Sequence, residues 1–445
     1  MKKVIIIILA IILTIILTVP VSGAIEIPKD EGISYILIDS ASGQVLTEQD
    51  ADNKLYPASV TKIMTAIVAL ENGDLSQKMT VSSNAVNDIG RGGMNIGIMA
   101  GEEGLTLENM LNVLLIKSAN ECANIIAENV AQSRAEFMEM MNKRAAELGA
   151  VNTKFINPSG KDTAKEDATH LSTARDLALI ARHAMTIPKF REIVSKEYYK
   201  DMPVTNKHDD WGILRNSNQF LWYDNTYPYM LDGAEHKFTV NGIKTGYTAL
   251  AGNNLVTGAV GEDGMELIAV VLHVTQPNKI YNYSKNLLKY GFENFSHKKV
   301  SEAGSSVTDV PVKNAGDGST ILELLTEKDF SCACPIDGGE GTITNKLNVP
   351  ESVEAPITKG QVIGEIEYIN SSGVTLGKVN LVAAKSITAL QEESSDKAAA
   401  TGEKEESTYS YTLLGILLTL SGLVILRMIL KGASRRRMKK RFNKR

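Results

Sequence analysis

Cysteine is scarce, with three in 445 residues, too few to build a disulfide scaffold. Cys122 falls in a helical pattern and reads as core. Cys332 and Cys334 stand two apart, on one face if the segment is extended, and that spacing is too close for an unstrained bridge within a regular strand. Histidine is sparse too: six are scattered along the chain, with neither H-E-x-x-H nor a paired C-x-x-C. A zinc site is therefore without support, and neither metal nor cofactor is expected. No internal repeat is present. Base is short everywhere except at the ends. With Lys2, Lys3, Arg427 and nine tail residues set aside, 35 Lys and Arg face all 52 Asp and Glu, so the intervening chain carries about −17 against a formal total of −5. That balance argues against nucleic acid or any other polyanion as a partner.

Long apolar runs occur at the two ends. Residues 1–24 have the charged start, greasy centre and small-residue exit of a secretory signal peptide, with a cut expected after Ala24. An uncleaved anchor is the alternative, since the run is close to spanning length. Residues 411–430 form a 20-residue apolar segment with one charge, Arg427, near its far end. This reads as a transmembrane helix, because residues 431–445 carry nine basic residues and no acid, as a cytoplasmic end should. The chain should thus sit in the cell membrane as a single-pass protein, with its folded part outside and its carboxyl terminus inside.

Between the ends the pattern is mixed α+β. Residues 33–46 read as two strands around an Ala-Ser-Gly turn. Helices are expected from Val60 to near Gly73, over 107–130, over 134–148, over 173–185 and over 280–290. Strands are expected over 240–243, 254–260 and 266–274, the last a continuous apolar run typical of a central strand. From about 297 the segments are short and alternating with Gly-rich turns, which indicates a small all-β domain. Residues 390–410 are polar and of low complexity, a flexible tether.

Three short motifs stand out. S-x-x-K occurs at Ser59/Lys62, Ser296/Lys299 and Ser394/Lys397, so the spacing alone says little. Only the first opens an apolar helix. S-x-N follows about 60 residues on at Ser118 and Asn120, between helical stretches, and again at Ser82 and Asn84. A single K-T-G, Lys244-Thr245-Gly246, ends a strand in the second half. In this order and these settings the three match the active-site serine set of penicillin-binding proteins and class A β-lactamases. Asn157-Pro158-Ser159-Gly160 reads as a turn, and His170 and Asp176 as groups that cap or brace a helix.

The segments YPASVTKIMTA, SANECANIIAE, FINPSG, HLSTARDLALIAR and GIKTGYT together resemble the low-molecular-mass D-alanyl-D-alanine carboxypeptidases of the S11 serine peptidase family. The resemblance covers roughly residues 33–295, and the β domain resembles the family's second domain. It implies an antiparallel sheet flanked by helices, the serine β-lactamase/DD-peptidase-like fold, over 25–295, followed by a β domain over 296–389. It also implies acyl transfer from a peptidoglycan stem peptide, with β-lactams acylating the same serine. Ser59 would be the nucleophile and Lys62, on the same helix face, its base; Lys62 must be neutral, and Lys244 is the second cation that would help to discharge it. Ser118 would relay a proton to the leaving amine, and Asn120 would fix Lys62 and the substrate amide. Lys244 and Thr245 would bind the substrate carboxylate, Gly246 would let substrate lie along the strand edge, and the backbone N–H groups of Ser59 and Tyr247 would form the oxyanion hole. Many members add an arginine for the carboxylate; here only Lys279 is near, and that role stays open. A β-lactamase is the nearest rival, but the deacylating E-x-x-x-N pattern fails, since Glu166 is followed four residues later by His170. A sensor that acylates without turnover is the other alternative.

Overall fold

The computed structural model describes Ile27 and residues 32–90, 92–162, 169–336, 343–370, 373 and 375–390. Among these no helix is long and apolar enough to cross a membrane. The expected signal peptide, membrane span and basic tail lie outside the described residues, as do Glu166 and all of the tether but Leu390.

One antiparallel sheet organises the first domain. Its strands are β1 (Ser34–Asp39), β2 (Val45–Gln49), β5 (Thr226–Leu231), β6 (Ala234–Thr248), β7 (Gly252–Gly261) and β8 (Glu266–Val274), in the order β2-β1-β8-β7-β6-β5. A small ladder of β3 (Tyr198–Tyr199) and β4 (Leu214–Arg215) stands apart. The apolar run of β8 fits its central place, because successive side chains leave a strand on opposite faces and both faces here are covered. Ile268, Val270 and Leu272 join one core, with Ile36 and Ile38 of β1. Leu267, Ala269, Val271 and Val274 join the other, with Tyr35 and Leu37. Each fully buried side chain of this size contributes about 1.5–3 kcal/mol.

The first core is closed by helices α1 (Lys62–Asn72), α2 (Ser83–Asn87), α3 (Leu107–Ile116), α4 (Asn120–Val130), α5 (Arg134–Glu147), α6 (Ala174–Thr186) and α7 (Pro188–Val194). Ile63, Met64, Ile67 and Val68 bury the face of α1 that their spacing predicts. The helix expected over 107–130 is two helices. Thr106 and Asn109 form a capping box at the start of α3, and the break falls at Ser118, whose φ of 65° no helix accommodates. The strand expected over 240–243 is likewise the middle of a 15-residue strand. Its outer half pairs with β5, a hairpin partner that its Tyr-Pro-Tyr sequence conceals.

The second core rests on α8 (Lys279–Asn294), where Phe292 stacks on Phe238 with ring centroids 5.1 Å apart. Helix α8 runs directly into β9 (Phe295–Ser301), which pairs with β12 (Phe330–Pro335). The rest of the β domain is a six-stranded sheet of β10 (Ser306–Lys313), β11 (Ile321–Thr326), β13 (Thr344–Asn348), β14 (Val353–Glu354), β15 (Val362–Ile369) and β16 (Thr375–Ala383). Phe330 stacks face to face on Tyr368 at 4.8 Å in its core.

Candidate active site

Ser59 rides on a single 3-10 turn, Ala58–Thr61, between Pro57 and α1. Ala58, just before it, has φ of 49°, a left-handed conformation unusual for a residue with a Cβ. The turn is clamped from outside by Asn157–Gly160. Asn157 Oδ1 accepts the Gly160 N–H at 2.7 Å and the Ser159 N–H at 3.2 Å, which explains why this loop begins with asparagine. Gly160 has φ of 78°, and a Cβ there would lie 1.7 Å from the Ala58 carbonyl oxygen. Only glycine fits.

Lys62 is fully buried, one turn beyond Ser59. Its Nζ lies 2.8 Å from Ser59 Oγ, 2.7 Å from Asn120 Oδ1 and 2.7 Å from the Ser159 carbonyl oxygen. A neutral amine has two hydrogens and one lone pair. The amide and carbonyl oxygens can only accept, so they take both hydrogens and leave the lone pair for the Ser59 O–H. Burial pushes the Lys62 amine well below its ordinary 10.5, and the Lys244 ammonium pushes it further; Glu121 and Cys122 oppose.

The S-x-N segment enters from the break between α3 and α4. Asn120 is held by its own N–H on the Met94 carbonyl at 2.7 Å and by Nδ2 on the Ile89 carbonyl at 2.8 Å, so its Oδ1 is aimed rather than free to swing. Ser118, buried, lines the same cleft. From β6, Lys244 is buried and pushed down to about 7 by that burial. The Thr245 hydroxyl meets the Ser217 hydroxyl at 2.7 Å. Gly246 has a reason additional to the strand edge: a Cβ there would stand 3.1 Å from the Ser59 backbone nitrogen and 3.0 Å from the Pro57 carbonyl oxygen. The two motifs touch backbone to backbone. Tyr247 follows with its ring exposed.

These residues face a cleft of about 980 Å³. Ser59, Ser118, Asn120, Thr245, Gly246 and Tyr247 are among its lining, while Lys62 and Lys244 lie beneath the surface. Phe220, Tyr227 and Tyr281 form an aromatic side, and α8 contributes Tyr281, Asn282 and Lys285 but not Lys279. Among the described residues no cluster of His, Cys, Asp or Glu could hold a metal ion. Three participants have no motif of their own: the Ser159 carbonyl, the Ser217 hydroxyl and His170. Ser159 and His170 lie in segments that the sequence picks out, one as a plain turn and the other as a helix brace, whereas Ser217 carries no such signal.

His170 braces the nucleophile turn from below. Its Nδ1 accepts the Ile156 N–H at 3.2 Å, so the proton sits on Nε2, which donates to Thr61 Oγ1 at 2.8 Å. Asp176 braces as expected, accepting from the Asn152 N–H and the Thr153 hydroxyl.

A serine bonded to a buried lysine, with an asparagine from a second segment and a K-T-G strand from a third, defines the active-site serine class of acyl-transfer folds. Within that class the chain belongs to the D-alanyl-D-alanine carboxypeptidase family, peptidase S11, whose model matches residues 24–276; the model of the penicillin-binding protein 5 C-terminal domain matches residues 295–389. It is 30% identical to D-alanyl-D-alanine carboxypeptidase DacA of Haemophilus influenzae, over 80% of this chain and 84% of that one. It is 29% identical to DacF of Bacillus subtilis, over 76% and 81% respectively. Among solved structures, penicillin-binding protein 5 of Haemophilus influenzae superposes with a TM-score of 0.63 at 28% identity, covering 80% of this chain and 97% of its own.

Burial holds His170 down to about 4. An unfolded histidine titrates near 6.5, so between about 4 and about 6.5 the unfolded chain binds the extra proton and folding stability rises with pH. We expect the unfolding free energy to fall by about 3 kcal/mol as pH drops across that window. Urea unfolding at stepped pH, with His170→Gln flattening the slope there, is the measurement.

Proposed function

We propose that this chain is a serine-type D-alanyl-D-alanine carboxypeptidase that removes the terminal D-alanine from peptidoglycan stem peptides through an acyl-enzyme on Ser59. The carrying observation is the lone pair of buried Lys62, left facing the Ser59 hydroxyl by two fixed acceptors. Lys62 takes the proton as Ser59 Oγ attacks the scissile carbonyl. The oxyanion that forms is received by the N–H groups of Ser59 and Tyr247, each such donor contributing about 3 kcal/mol. Ser118, at the cleft wall, passes a proton to the departing amine, and water then hydrolyses the ester. Lys244 and Thr245 hold the free carboxylate; an approaching anion raises the Lys244 amine again, so substrate restores the charge that recognises it. β-Lactams acylate the same hydroxyl.

The proposal extends to the ends of the chain, where its support is the sequence alone. Residues 1–24 export the protein and 411–430 anchor it in the cell membrane. Residues 25–295 and 296–389 then lie outside the cell as catalytic and β domains on the 390–410 tether, and 431–445 remain inside. In intact cells an external protease should release the folded domains and leave an epitope on the carboxyl-terminal tail untouched. Digestion of that tail from outside overturns the topology.

Ser59→Ala should release no D-alanine from a D-Ala-D-Ala peptide and carry no penicillin adduct in the mass spectrum; an adduct persisting in the variant sinks the assignment. Lys244→Gln should weaken peptide turnover and also move the acid limb of β-lactam acylation to higher pH, because a cation that depresses Lys62 is gone. Acylation rates measured across pH check the direction, and an unmoved or lowered limb contradicts it.

A further inference from the structure

The function leaves one pair of nucleophiles unused. Cys332 and Cys334 lie on one face of β12 with their sulfurs 3.8 Å apart, and both are free. Cys332 is fully buried in the β-domain core, whereas Cys334 is partly open to solvent. Lys298 of β9 stands directly across the ladder from Cys332, and the pairing slips between Phe330 and Ser331, one residue before the first thiol. Ala333, between the two, is packed in the second core of the neighbouring domain, which fixes both sulfurs on the opposite side of the strand. Among the described residues no third ligand accompanies them, so a metal site is not completed.

We propose that Cys332 and Cys334 form a reversible thiol-modification site, in which Cys334 attacks a small-molecule disulfide and Cys332 resolves the adduct to an intrastrand bridge. The division of labour follows from exposure, since only Cys334 is within reach of a molecule in solution. Electrostatics agree: the Cys332 S–H donates to Cys334 and Lys298 adds its charge, holding the Cys334 thiol down to about 7 against the opposing effects of burial and Asp39, while Cys332 is pushed up. In the first step the Cys334 thiolate bonds to one sulfur of the small disulfide, whose S–S bond breaks. The departing thiolate takes up the proton that Cys334 had released. In the second step Cys332 gives up its proton and attacks the Cys334 sulfur, expelling the other half of the reagent as a thiol. Two protein thiols are oxidised, and one disulfide is reduced to two thiols. A bridge between alternate residues of a strand is strained by the strand's own geometry, so a mild dithiol reductant should open it. Cys122, fully buried in α4, is an internal control that stays unreacted.

The test is a time course of the full-length chain with oxidised glutathione, quenched by acid and followed by intact mass and peptide mapping. The wild type should lose two hydrogens, retain no glutathione, place the bridge within one peptide containing both residues, and regain its mass with dithiothreitol. Cys332→Ser should retain one glutathione on Cys334, and Cys334→Ser should react at least roughly tenfold more slowly. The proposal fails if the wild type keeps its glutathione as long as Cys332→Ser does, or if Cys334→Ser reacts as fast as the wild type. The wild-type time course decides by itself should either variant not fold.

Discussion

Everything in the cleft depends on one buried amine being surrounded by acceptors. Lys62 has no solvent to hydrate a charge, and two of its three neighbours are oxygens that can do nothing but accept. Were the site to present a carboxylate in direct contact, the amine would stay an ammonium and the hydroxyl of Ser59 would remain inert. The acceptors come from segments 58 and 97 residues away in sequence. Folding of the whole domain is therefore what prepares the base, and no local stretch could do so.

The two cores serve that arrangement. The helical core holds α1 and α4 in contact, which brings Asn120 to Lys62, and the sheet carries β6 past the turn of Ser59. Gly246 and Gly160 approach that turn from two sides at distances where a single methyl group would collide or crowd. The nucleophile is thus located by backbone atoms on both flanks, a stiffer support than side chains provide, and His170 fills the space beneath with a neutral ring.

Much of this was legible before any coordinates. Residue order and setting singled out Ser59, Lys62, Ser118, Asn120 and Lys244, because S-x-x-K opens an apolar helix and S-x-N and K-T-G follow it in the order that active-site serine chemistry uses. The central strand over 266–274 was equally plain, its unbroken apolar run having no reading except burial on both faces. The break inside 107–130 was hidden, since Leu, Ile, Ala and Glu favour helix on either side and only the backbone of Ser118 shows the turn. Ser217 and the Ser159 carbonyl were out of reach for a different reason. A carbonyl has no sequence identity, and a lone serine in a polar loop acquires meaning only from what lies across from it. Gly246 was assigned by its lack of bulk toward a substrate, and a Cβ there would also crowd the Pro57 carbonyl oxygen and the Ser59 backbone nitrogen, a constraint only the fold shows.

Helix α8 passes without a linker into β9, Phe295 being both the residue that ends the helix and the first of the strand. Its opening turns form a wall of the cleft, and its far end is the root of the β domain. Sixteen residues of helix span roughly 24 Å. The second domain is consequently mounted like a bracket on a rigid strut, at a stand-off from the chemistry set by a count of helical turns and not by the wandering of a loose cord.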